Sequence, residues 1–247
     1  MKYMGSKNRL SKELAPIIQS YVDKGCNGYL EPFVGGANMI DKIKCNKRYG
    51  CDNHKYLIAL LQQTQKDVSI FPSQISEEGY NNVKKNFESY DDWYIGLVGF
   101  CSTFSAKWFN GYARSFKSDG VTPRNQSNEG IRNLIKQAPL LKDIIFECRS
   151  FDTINENISN FVIYCDPPYR GTTKYKTEEF PYETFYDWCR KMSKNNIVLV
   201  SEYNMPSDFE CIWSKETLAN FDSNRKVNDD KNKRVEKLFI YKGDKLK

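Results

Sequence analysis

The chain has 247 residues, 40% of them hydrophobic, enough for one domain with a sizeable core or for a core plus a smaller lobe. No run approaches the length of a membrane span and no charged-then-apolar leader opens the chain, so a soluble, intracellular (cytoplasmic) protein without a membrane partner is expected. The formal net charge is +6, the eight cysteines form no C-x-x-C pair and His54 is the only histidine, a pattern that argues for reduced core thiols and against zinc or any other metal.

In chain order, Tyr3-Met4-Gly5-Ser6-Lys7 opens as a basic terminus. Tyr29 to Asn38 then reads as a strand end turning sharply through Gly35 and Gly36 into a helix, glycine being the residue that lets the backbone approach a ligand without a Cβ in the way. It is not the dinucleotide fingerprint, because G-x-G-x-x-G is absent. A second strand, Arg48 to Cys51, ends at Asp52. An acidic residue at that place holds ribose hydroxyls in open α/β folds, and an Asp capping the next helix ahead of Asn53 and His54 explains the same residues.

Helical patterns follow, with Leu57, Leu60 and Leu61 on one face, Val83 and Phe87 on another, and a third pattern from Ile131 to Leu141. Between Cys101 and Ser150 eight Lys or Arg stand against four Asp or Glu. The centre of this stretch, Lys107 to Lys117, interleaves aromatics with cations and is broken by Gly111, which suits phosphate contacts with stacking or wedging between bases. Phe104, Trp108 and Phe109 read equally well as a core stripe continuing a helix from Trp93. Arg114, Lys117 and Arg124 lie in a polar segment and are the leading nucleic-acid contacts, with Lys107 beside them. Gly36 and Asp166 are 130 positions apart, whereas three βα units of about 30 residues need roughly 90. An insertion is therefore expected here.

The run Phe161 to Cys165 is short, β-branched and aromatic, a buried strand that delivers Asp166-Pro167-Pro168-Tyr169 to the strand's carboxyl end, where ligands of open α/β sheets sit. An exocyclic base amine is a poor nucleophile because its lone pair is delocalised into the ring, and two acceptors aimed at its N–H groups draw it toward a reactive geometry. Asp166 offers one acceptor and the Pro167 carbonyl the other, held by two prolines that restrict φ. Tyr169 adds an aromatic face for a base taken out of its helix, a stacking interaction worth about 1–3 kcal/mol. Past this motif, Gly171 to Pro181 is expected to be a mobile loop that orders over the base. Glu183 to Asn195 is predicted as a helix, Ile197 to Ser201 as a strand and Leu238 to Tyr241 as the closing strand, with Asp222 to Lys233 a polar flexible loop or hairpin tip.

Glu31-Pro32-Phe33-Val34-Gly35-Gly36 followed by Asp166-Pro167-Pro168-Tyr169 resembles the DNA adenine methylase (Dam) family, and Tyr3 to Lys7, Ser201-Glu202-Tyr203 and Arg234 to Ile240 agree with that family's flanking motifs. The resemblance implies a Rossmann-like α/β methyltransferase sheet with helices on both faces, formed by residues 1–56 and 145–247, and an inserted, mainly helical target-recognition lobe over 57–144. It also implies S-adenosylmethionine as cofactor, bound by Tyr3, Lys7, Glu31, Phe33, Gly35, Asp52 and Asp166, and catalysis by Asp166, Pro167, Pro168 and Tyr169. One departure is Ala37, where the family carries glycine. Residues Phe104 to Arg114 also do not match the hairpin of the family's GATC readers. The implied reaction is methyl transfer to the N6 amine of an adenine flipped out of double-stranded DNA, by a monomer, with a dimer and a companion restriction endonuclease left open. An RNA-adenine or protein-glutamine methyltransferase, or an inactive DNA-binding relative, stays open as the alternative.

Overall fold

The computed structural model describes residues 1–116, 119–170, 180–218 and 233–242. Seven strands form one sheet: β1 (Gly28–Glu31), β2 (Arg48–Asp52), β3 (Ile144–Cys148), β4 (Phe161–Cys165), β5 (Ile197–Glu202), β6 (Phe209–Leu218) and β7 (Lys233–Tyr241). Their spatial order is β3-β2-β1-β4-β5-β7-β6. The first five are parallel, and β7 runs antiparallel between β5 and β6. The order reverses direction between β1 and β4, so the loops leaving those two strands open onto a crevice.

Residue alternation explains why these runs are central strands. In β4, Val162 and Tyr164 belong to one core cluster while Ile163 and Cys165 belong to the other, and in β5 Leu199 faces the first while Val198 and Val200 face the second. A strand buried on both faces reads as an uninterrupted apolar run, as both of these do. The first face is covered by α1 (Ser11–Val22), α2 (Lys55–Lys66), α3 (Glu77–Lys85), α4 (Asp92–Cys101) and α5 (Gln126–Leu141). The second is covered by α6 (Tyr182–Met192), through Phe185, Tyr186, Trp188, Cys189 and Met192, together with Phe151 and Ile154.

Two expectations change. No α-helix follows the glycine turn: a single 3₁₀ turn, Ile40–Lys42, precedes β2, because Gly35 (φ 48°) and Ala37 (φ 54°) both turn the chain through the left-handed region and too few residues remain for helical turns. The helix from Trp93 stops at Cys101, so Phe104, Trp108 and Phe109 do not continue it. Residues 53–143 lie between β2 and β3, and Leu57, Leu60, Leu61, Ile95, Leu97, Val98, Ile131 and Leu134 share one continuous core with Tyr29, Ile144, Val162 and Leu199 of the sheet. The helices of the 57–144 segment thus bury their apolar stripes in the same core as the sheet. The stretch from Phe104 to Arg124 exposes Phe104, Phe116 and Val121, and the 57–144 segment also exposes Ile70, Ile135 and Leu140.

Candidate active site

Because β1 and β4 pair in register, Leu30 opposite Ile163, the turn after Glu31 and the turn after Cys165 leave the sheet side by side. The amino-terminal segment closes over both. Ser6 Oγ caps a short 3₁₀ turn at Lys7–Arg9 by accepting from the Asn8 N–H at 3.2 Å, and it also accepts from Asn38 Nδ2 at 2.8 Å. Tyr3 lies against the glycine turn so closely that a Cβ on Gly35 would sit 2.9 Å from its ring. Only glycine allows both that approach and the positive φ.

Two polar groupings result. In the first, Lys7 Nζ is 2.9 Å from Asp166 Oδ1, 3.8 Å from Glu236 Oε2 and 4.3 Å from the centre of the Tyr169 ring. The Tyr169 hydroxyl donates to Glu236 Oε2 at 3.0 Å. Burial by itself disfavours the Lys7 ammonium, but Asp166 and Glu236 outweigh it and hold the charge on. Burial pushes the Asp166 carboxyl up and the Lys7 ammonium pulls it back. Tyr169 is buried, with Tyr203 edge-on at 4.6 Å. The Pro168 carbonyl accepts from the Tyr182 hydroxyl at 3.1 Å, whereas the Pro167 carbonyl accepts no hydrogen bond from the described residues.

The second grouping is at the end of β2. Asp52 Oδ2 accepts the Gly35 N–H at 3.2 Å and Oδ1 the His54 N–H at 3.1 Å. Burial raises this carboxyl to about 6, against those N–H donors. The helix cap proper is His54, whose Nδ1 accepts from the Leu57 N–H at 3.3 Å. Its ring packs 4.3 Å from Trp108, which in turn stacks on Tyr56 at 5.3 Å and meets Phe100 at 4.9 Å. Trp108 is thus a packed aromatic.

The remaining predicted residues are spread out. Phe33 packs among Phe151, Phe180 and Phe185. Glu31 is buried and takes the Tyr29 hydroxyl at 2.7 Å, burial lifting its carboxyl well above the usual range. Arg114 and Arg124 are already engaged: Glu77 holds the first through Nε at 3.1 Å and through a second, shorter contact, and Glu129 holds the second through both nitrogens at 2.6 Å. Glu129 also takes Lys2 at 2.9 Å. No ion pair to Lys107 occurs among the described residues. Lys117, most of the loop expected over Gly171 to Pro181, and the polar loop up to residue 232 lie outside the described residues.

Two acids lie in stretches that agree with the family's flanking motifs, but the sequence assigned them no role of their own. Glu202, at the end of β5, accepts the Arg170 N–H at 3.2 Å and the Tyr203 N–H at 2.7 Å, pinning the turn after Tyr169, and burial raises it to about 7. Glu236 stands on β7. For Glu202 the available signal was a carboxylate ending an otherwise apolar strand, which is rarely left unpaired, whereas Glu236 lies among Arg234 and Lys237 and carried no such signal.

The chain matches the family model described as D12 class N6 adenine-specific DNA methyltransferase over residues 3–227. It is 24% identical over 199 residues to the type II methyltransferase M.FokI of Planomicrobium okeanokoites, an alignment covering 70% of this chain and 29% of that protein. The chain thus spans less than a third of that relative's length. Among solved structures it is similar to a candidate methyltransferase from Thermoplasma acidophilum (8% identity, 89% of this chain and 70% of that one, TM-score 0.33) and to a candidate methylase from Haemophilus influenzae (12%, 95% and 95%, TM-score 0.34).

Proposed function

The chain belongs to the D12 class N6 adenine-specific DNA methyltransferases, and from that membership we propose that it methylates the exocyclic N6 amine of adenine in double-stranded DNA, with S-adenosylmethionine as donor. The observation that carries the reading is Asp166 at the carboxyl end of β4, next to a Pro167 carbonyl that accepts no hydrogen bond from the described residues. An amine lying between the two donates one N–H to each, which localises its lone pair on nitrogen. Tyr169 contacts the ring of the same base, and Lys7 keeps Asp166 oriented through the 2.9 Å ion pair.

The residues at the end of β2 fit the cofactor. Asp52 is half-buried, has backbone N–H partners and pairs with no cation among the described residues, a setting in which a carboxylate accepts ribose hydroxyls. Tyr3 and Gly35 lie at the same turn, and Phe33 and the buried Glu31, just before it in the chain, are the further proposed cofactor residues. When bound, the cofactor supplies an electrophilic methyl on a sulfonium. The surface from Lys107 through Arg114 to Arg124 is the proposed DNA-binding surface, and the 57–144 segment the proposed target-recognition region.

Unmethylated duplex DNA incubated with the protein and S-adenosylmethionine, then read by single-molecule sequencing, tests the reading. N6-methyladenine at one recurring sequence is expected with the native chain and none with Asp166→Ala. An unmarked duplex with the native chain overturns it.

A further inference from the structure

One ammonium, Lys7, lies between two carboxylates, Asp166 at 2.9 Å and Glu236 at 3.8 Å, with side-chain exposures of only 8%, 20% and 15%. A buried cation is tolerated while a counter-charge stays beside it and becomes costly when that partner is neutralised. Asp166 has a second duty in the reaction proposed above. As the amine nitrogen bonds the methyl carbon and the carbon–sulfur electron pair stays on sulfur, the nitrogen carries a positive charge until one proton leaves it. Asp166 is the base in contact, and accepting that proton turns its carboxylate into a neutral acid. With Asp166 as sole partner, Lys7 would then be stranded.

We infer that Glu236 is the reserve counter-ion of Lys7, a positioning residue that lets Asp166 take up the amine's proton without leaving the buried ammonium unpaired. The inference rests on reading Asp166 as the acceptor of the amine. Glu236 is suited to the task because the same oxygen, Oε2, also receives the Tyr169 hydroxyl at 3.0 Å. The carboxylate is thereby tied to the turn that carries Asp166, and β7 holds it in the sheet beside β5. The groups facing Asp166 from the neighbouring elements are Lys7, Glu236, Tyr169, Tyr164 of β4, Glu31 of β1 and Glu202 of β5. Among them Lys7 lowers the Asp166 carboxyl and Glu236 raises it, so Glu236 also makes Asp166 the stronger base.

Glu236→Gln keeps the volume and an acceptor for Tyr169 but removes the charge. Carbon-13 NMR of the Asp166 carboxyl in the protein alone, assigned with Asp166→Asn, should show its titration midpoint moved to lower pH in the variant. Single-turnover methylation should slow about tenfold or more, its acid limb moving in the same direction, with cofactor affinity changed less than about threefold. Glu236→Asp should recover part of the rate because the charge returns. A midpoint and acid limb that both stay put, with only the melting temperature lowered, would overturn the inference. Should the native chain leave adenine unmethylated, the functional reading fails by itself, and the NMR titration still decides whether Glu236 controls Asp166.

Discussion

Glu202 shows how a single buried carboxylate couples pH to both stability and geometry. Its partners are two backbone N–H groups, and burial lifts it from the usual 4.5 to about 7. A carboxyl raised on folding contributes stability that is full below its unfolded pKa and is lost as pH rises through its folded one. The native chain therefore loses this contribution between about 4.5 and about 7, while Glu202→Gln, which cannot ionise, does not. The melting temperature of the variant relative to the native chain should be higher at pH 8 than at pH 5, as differential scanning calorimetry at the two values would show. A constant difference would mean that Glu202 does not titrate in this window. Tyr169 separates ring from hydroxyl in a similar way. Tyr169→Phe removes the hydrogen bond to Glu236, worth about 1.5–3 kcal/mol to a charged acceptor, and keeps the ring. Tyr169→Ala also gives up about 1–3 kcal/mol of base stacking. Single-turnover methylation should therefore fall further in the alanine variant than in the phenylalanine one, and equal rates would remove stacking from Tyr169's role.

Among the described glycines, Gly96 at the crossing of α2 and α4 has the closest neighbour. A Cβ on Gly96 of α4 would sit 2.2 Å from the carbonyl oxygen of Tyr56 in α2, and a backbone atom cannot rotate aside. Alanine gains about 1 kcal/mol of helix propensity, but overpacking against backbone costs about 3 kcal/mol. Gly96→Ala should therefore destabilise the chain by about 2 kcal/mol in a urea titration. The sequence could not announce this approach, because Gly96 looks like any glycine in a helical pattern. The strands were legible, since β4 and β5 are uninterrupted apolar runs of fitting length, and Asp166 to Tyr169 could be assigned to a strand's carboxyl end for the same reason. Helix α6 was legible from Phe185, Trp188, Cys189 and Met192, and it ends at Met192 rather than Asn195 because Ser193 caps it, donating Oγ–H to the Cys189 carbonyl at 2.7 Å. What stayed hidden depends on residues far apart in the chain: Glu236 reaching Lys7, Glu77 reaching Arg114, and Trp108 folding back onto His54 and Tyr56. Periodicity gives the face a side chain occupies and is silent about the neighbour it meets there.

Across the whole molecule the net charge of +6 matters less than which cations are already spoken for. Arg114 and Arg124, on the proposed DNA surface, each give a two-nitrogen fork to a carboxylate, Glu77 and Glu129, and Glu129 also holds Lys2. These pairs are at least partly exposed, so they contribute little to stability and are weakened by salt. A DNA phosphate must compete with them for the same guanidinium groups. Two opposite effects follow for the same surface. Arg114→Ala with Arg124→Ala should weaken duplex binding and flatten the plot of log affinity against log salt by about 0.9 for each phosphate no longer neutralised. Glu129→Gln, which frees Arg124 and Lys2 together, should tighten binding of non-cognate duplex and steepen that plot. Fluorescence anisotropy of a labelled duplex over a salt series measures both slopes. Identical slopes for the native chain and the arginine variant would move the DNA path off this segment, to cations elsewhere on the molecule.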